Sequence, residues 1–131
     1  MRRKEREVTD AKKIKEILNQ CEVCRIGMVD DLGIPYVVPM SFGYIEEQGT
    51  YEFYFHGAAE GKKVDIMRSG NTVCLEFDIN AKLIEGEKPC SYSTFFQSVI
   101  AYGIPVFLEG DEKTAGLNHL MSQYTGRTDF V

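Results

Sequence analysis

The sequence predicts a mainly β, antiparallel barrel with small peripheral helices, on three observations. Apolar residues alternate with period two over several segments, clusters of turn-forming residues separate those segments, and helical spacing is confined to the two flanks and one short internal stretch. At 131 residues the chain can bury one core and is too short for two, so it reads as a single domain over 1–131.

Thr9 and Asp10 are good N-cap residues, and Ile14, Ile17, Leu18 and Cys21 follow at amphipathic spacing, giving a first helix over about 10–20. Val23–Val29 reads as a short strand closed by the turn Asp30-Asp31-Leu32-Gly33. From Ile34 to Tyr44 the even positions are apolar and the odd ones mostly small, which predicts one long strand with a single buried face. Pro35 and Pro39 cannot donate to a β-ladder, so this strand belongs at an edge or a bulge, where a ligand can reach the backbone. After a turn at Glu46–Gly49, Tyr51, Phe53 and Phe55 alternate with Glu52, Tyr54 and His56 as the antiparallel partner in a hairpin. Gly61–Arg68 makes two turns of helix, stopped by Ser69-Gly70-Asn71. Val73, Leu75, Phe77 and Ile79 mark a half-buried strand, and a long strand runs from about Ser93 to Glu109, bending near Gly103 and Pro105. Leu117, Leu120, Met121 and Tyr124 restore helical spacing, with Gly126 as the stop. Five strands of this kind make a barrel. Pattern alone leaves a split barrel and an oligonucleotide-binding barrel both open.

Composition narrows the function classes. Hydrophobic residues at 44% and charged residues at 27% are the balance of a soluble globular chain. No apolar run approaches the ~20 residues of a membrane span, and Met1-Arg2-Arg3-Lys4-Glu5-Arg6 lacks the apolar stretch of a signal peptide. A cytoplasmic protein with no membrane partner is expected. A net charge of −5 argues against nucleic acid, whose binding rests on accumulated positive charge, and leaves Arg2–Arg6 as a solvated arm.

Cys21, Cys24, Cys74 and Cys90 read as free thiols of a reducing compartment. Cys21-Glu22-Val23-Cys24 has metal-site spacing but no second pair to complete it, so Cys21 is expected to end a helix face and Cys24 to open a strand. No metal is expected.

The chemistry-bearing stretch is Tyr54-Phe55-His56-Gly57-Ala58-Ala59-Glu60-Gly61-Lys62-Lys63. It passes from strand through a glycine-flanked turn into a helix start, a way of holding phosphate: free N–H groups carry partial positive charge, Gly57 and Gly61 admit close backbone approach, and lysine adds full charge. It has neither the Gly-Lys-Ser/Thr ending of an NTPase loop nor the three-glycine dinucleotide fingerprint. No serine–histidine–aspartate order or carboxylate pair stands out, which disfavours hydrolysis by side chains and points to cofactor chemistry.

Preceded by Pro35-Tyr36-Val37-Val38-Pro39-Met40-Ser41-Phe42-Gly43-Tyr44, and followed by Cys90-Ser91-Tyr92-Ser93 and Ser98-Val99-Ile100-Ala101-Tyr102-Gly103, this stretch resembles the FMN-binding split-barrel superfamily of pyridoxamine 5′-phosphate oxidases. Within it the chain is most similar to the nitroimidazole-resistance (Nim-type) branch. The likeness covers roughly Arg2 to Phe130, and Tyr-Phe-His-x-Ala-x-x-Gly-x-Lys is its most specific part.

The resemblance implies a split barrel and a homodimer with FMN at each subunit interface. It implies an oxidoreductase acting on a small molecule, by nitroaromatic reduction or by oxidation like that of pyridoxamine-phosphate oxidases. Lys62 and Lys63, after Gly61, map onto the basic positions at the phosphate. Pyridoxamine oxidases carry arginine then lysine there, so a point charge replaces a bidentate fork. Val38, Pro39, Met40 and Ser41 map onto the strand laid against the flavin ring through its main chain, and Phe55, His56 and Gly57 onto the strand exit beside the cofactor. Phe95-Phe96-Gln97-Ser98-Val99 maps onto the strand by which the second subunit completes the site. Nim-type relatives commonly place arginine where Gln97 stands, so a stabiliser of reduced flavin or an anchor for an anionic substrate is missing here. Tyr92, Phe95 and Phe96 either stack on flavin or bury at a dimer interface. His56 either bonds phosphate or ribityl oxygens, shuttles a proton, or caps the turn, while His119, between Leu117 and Leu120, reads as structural. The family's further C-terminal strand is not expected before Val131. Two other readings stay open: a flavin- or haem-binding module without turnover, and a dimer that has lost its ligand.

Overall fold

The computed structural model describes residues 10–57 and 60–125. Its elements run α1 (Ala11–Gln20), β1 (Cys24–Val29), β2 (Pro35–Met40), β3 (Phe42–Glu47), β4 (Thr50–Phe55), α2 (Lys62–Arg68), β5 (Val73–Ile84), a 3₁₀ turn at Pro89–Ser91, β6 (Ser93–Gly103) and α3 (Gly110–Thr125). Asp10 caps α1, its carboxylate accepting a 3.0 Å bond from the Lys12 N–H. Ile17 and Leu18 carry the buried stripe. Cys21 caps the helix and Cys24 opens β1, both buried, as the sequence predicts.

A four-stranded antiparallel sheet, β2-β1-β5-β6, faces a two-stranded hairpin, β3-β4. Apolar residues from both sheets and α1 share one core. The Phe77 ring of β5 lies 4.9 Å from Phe42 of β3 and 5.0 Å from Phe53 of β4, so three aromatics join the sheets across the interior. The inner face of the larger sheet is set by residue parity: Cys24, Ile26 and Met28, with Val73, Leu75, Phe77 and Ile79, are buried, while β2 alternates exposed with half-buried. No described helix is long and apolar enough to cross a membrane.

Four expectations change in detail. The segment read as one strand over 34–44 is two, in different sheets, broken at exposed Ser41. Period-two alternation survives the break because Met40 and Phe42 both turn toward the same core. There are accordingly six strands among the described residues, not five. β5 continues to Ile84 through a register irregularity between Ile79 and Lys82, where strict alternation lapses. β6 stops at Gly103 rather than bending onward, because its partner β5 begins opposite it at Val73 and Pro105 offers no N–H to extend the ladder. Gly126, Thr9 and the Arg2–Arg6 arm lie outside the described residues.

Candidate functional site

β2 is an edge strand hydrogen-bonded only to β1 in its sheet, so of the edge or bulge expected from Pro35 and Pro39 the structure has the edge. Val38 and Met40 are half-buried on its inner face, and Pro39 is exposed on the outer one. Ser41 is exposed at the step into β3. β4 ends at half-buried Phe55, opposite Phe42, and its exit continues through exposed His56 and Gly57. Ala58 and Ala59 lie outside the described residues.

The two glycines of the turn serve different ends. Gly61 has φ +137°, which a side chain would strain, and it precedes α2 without any side-chain cap on the first turn. Gly57 provides room: a methyl group added there would stand 3.3 Å from Lys63 Nζ and 3.3 Å from the Met40 methyl. The end of β2, the exit of β4 and a lysine of α2 therefore meet at one backbone position. α2 is held over this corner by Val64 and Ile66, both buried, and closes as expected through Ser69 and Gly70, the latter at φ +80°.

Lys62 and Lys63 part company. Lys63 is half-buried over Gly57, whereas Lys62 is exposed, with its ammonium 4.6 Å from the centre of the Tyr36 ring on β2. Tyr36 is the site neighbour that sequence reasoning missed. The available signal was parity, since Tyr36, Val38 and Met40 share the inner face of β2.

Gln97 and Ser98 do not join this group within one chain. They lie on β6, the opposite edge of the sheet from β2, about 14 Å away at the usual strand spacing. Their side chains also diverge: Gln97, opposite Ile79, is half-buried, and Ser98, opposite Asp78, is exposed on the outer face. Tyr92 and Phe96 are exposed, while the side chains of Phe95 and His119 lie outside the described part.

Two open hollows lie elsewhere. One of about 340 Å³ is lined by Cys21, Arg25 and Asp78 among others. The other, about 330 Å³ and apolar, sits around Gly27 between Val37 and Tyr102. The paired thiols beside the first are unsuited to thiolate chemistry, because burial raises Cys21 and pushes Cys24 up to about 12.

The sequence pattern of the pyridoxamine 5′-phosphate oxidase family fits residues 10–130. The chain belongs to that family. Among solved structures, this pyridoxamine 5′-phosphate oxidase-like chain is similar to a candidate 5-nitroimidazole antibiotic resistance protein from Bacteroides thetaiotaomicron, at 35% identity and TM-score 0.76, over 92% of this chain and 69% of that one. Its branch is thus the nitroimidazole-resistance one, and its fold the split barrel, left open between the two sheets. The FAD and heme binding protein of Mycobacterium smegmatis shares the fold at 17% identity and TM-score 0.79, over 89% of this chain and 55% of that one. The flavocytochrome Anf3 of Azotobacter vinelandii does so at 19% identity and TM-score 0.70, over 88% and 52%. The chain thus spans about half the length of these two. No protein of curated function matched the chain.

Proposed function

We propose that this chain is an FMN-binding flavoprotein, an oxidoreductase of the pyridoxamine 5′-phosphate oxidase-like and nitroimidazole-reductase type acting on a small molecule in the cytoplasm. The observation that carries the reading is the corner where Lys63 stands over Gly57 beside Met40. A position kept clear of any side chain, with a cation above it, suits a phosphate group, and a charge-assisted hydrogen bond there would contribute about 1.5–3 kcal/mol. Bound flavin would supply the electron transfer; the protein binds, orients and shields it. In this reading Lys63 holds the phosphate, and the edge at Val38–Ser41 lies against the ring through its main chain. Phe55 packs behind the site, and exposed His56 is placed to donate a hydrogen bond or deliver a proton. The separation of Gln97 and Ser98 from the corner supports a homodimer in which each chain lends its β6 edge to the other's site.

A second reading, a flavin- or haem-binding module without turnover, is favoured by the names of the two fold neighbours, one binding FAD and heme and one a flavocytochrome. Purified protein separates the two. A yellow, FMN-type absorbance with steady NAD(P)H-dependent reduction of a nitroaromatic supports the first, and absorbance without turnover supports the second. Colourless protein that refuses added FMN removes both.

A further inference from the structure

The corner holds two cations, and a phosphate at Gly57 uses only Lys63. Along β2 the half-buried row Tyr36, Val38 and Met40 runs away from that point. Met40 stands at the Lys63 end, since its methyl and Lys63 Nζ both lie 3.3 Å from the position a Gly57 side chain would take. Tyr36 stands at the other end, about 13 Å further along the strand at the usual rise per residue. Lys62 Nζ sits 4.6 Å from the centre of its ring. Two neighbouring residues of α2 thus place ammonium groups at opposite ends of one apolar row, on an edge strand.

Neither ammonium is paired with a carboxylate: among the described residues the ion pairs belong to Lys13, Lys15 and Arg25. The chain carries a net charge of −5, so two unpaired cations over an apolar row make this a spot that draws anions against the overall field. A lysine alone is a poor anchor, because its long flexible stem must be ordered when it grips a ligand. The Tyr36 ring lowers that cost. It attracts the ammonium to its face and keeps it at a fixed place on β2 before anything binds, while Lys62 stays exposed on its other side. Tyr36 is itself steadied by packing against the core, opposite buried Met28.

We infer that Lys62, positioned by the Tyr36 ring, is the recognition residue for an anionic group on the substrate, so that the small molecule this chain acts on carries a carboxylate or a phosphate ester. This assignment rests on the flavin reading above and names the substrate class of that same site. Lys63 takes the phosphate of the cofactor and Lys62 the charge of the substrate, which gives the divergence of the two side chains a use. Selectivity follows from charge. A neutral molecule of the same shape leaves the ammonium where it already rests, whereas an anion adds a charge-assisted hydrogen bond.

Titration of the FMN-loaded protein, followed by flavin absorbance, with 4-nitrobenzoate, 4-nitrophenyl phosphate and neutral 4-nitrobenzamide tests this. Wild type should bind the anions about tenfold more tightly than the amide, with a margin that shrinks in about 0.5 M salt. Lys62→Gln should bind all three alike and Lys62→Arg should keep the margin. Lys13→Ala, which removes an exposed cation on α1, should keep it too. Tyr36→Phe retains a ring and the margin. Tyr36→Leu should narrow the margin while its affinity for the amide holds, a split that a merely structural tyrosine would not give. The tighter of the two anions tells carboxylate from phosphate. Equal wild-type affinity for anions and amide, or a margin that survives Lys62→Gln, would overturn the inference. So would a loss of FMN in Lys62→Gln as large as in Lys63→Ala, which would assign both lysines to the phosphate. If Tyr36→Leu fails to fold, the Lys62 variants decide alone. FMN titration of wild type is a separate readout: refusal of FMN defeats the flavin reading and this inference with it, whereas FMN bound without charge preference defeats this inference only.

Discussion

On β5 the residues Val73, Leu75, Phe77 and Ile79 vanish into the core, while on its neighbour β6 Phe96, Ile100 and Tyr102 are just as apolar and stand in the open. Both sets obey period two, and they occupy opposite faces of one sheet. Alternation in a sequence therefore reports which residues share a face. It does not report whether the cover for that face comes from the same chain. The inner face is closed by β3, β4 and α1.

The largest effect should come from breaking the inner face. Phe77→Ala removes a fully buried ring that joins both sheets and should cost about 3–5 kcal/mol in urea denaturation, independent of protein concentration. Ile100→Ser on the outer face should change the intrinsic stability of one chain by only about 0.5 kcal/mol, yet lower its melting temperature in a concentration-dependent way if a second copy covers it. At the corner, Lys63→Ala should weaken FMN by about 1.5–3 kcal/mol in fluorescence titration while leaving riboflavin, which lacks the phosphate, nearly unaffected. Lys62→Ala gives up an exposed contact with the Tyr36 ring and should cost FMN less than about 1 kcal/mol, so equal losses at the two lysines would refute the division between them. The smallest effect concerns thiols. Exposed Cys90 should react promptly with a thiol reagent, whereas Cys24, buried and pushed up to about 12, should label only on unfolding.

Much of this was legible in the residues. Proline at 35 and 39 confined β2 to an edge or a bulge, Asp10 started α1, and Gly57 with Gly61 marked the turn into α2. The break at Ser41 was hidden because a strand that changes sheets without changing the side it shows the core leaves alternation intact. The different directions of Lys62 and Lys63 were hidden as well. Adjacent residues on a helix diverge by about 100°, and what each meets depends on β2 and β4, which the local sequence does not contain. The distance from Gln97 to the lysines is a matter of sheet order, which pairing determines and periodicity cannot express.

Pro35 and Pro39 also govern how the sheet can grow. The Asp30 N–H bonds the Ile34 carbonyl at 3.0 Å, and counting from that pair sets residues 35, 37 and 39 with their backbone polar groups directed away from β1. Two of those three nitrogens carry no hydrogen, so this rim presents a run of carbonyls broken by a single donor at Val37. Another strand brought alongside would find few bonds to make, which blocks runaway stacking on that flank. A molecule bearing its own N–H groups would meet an acceptor-rich strip instead.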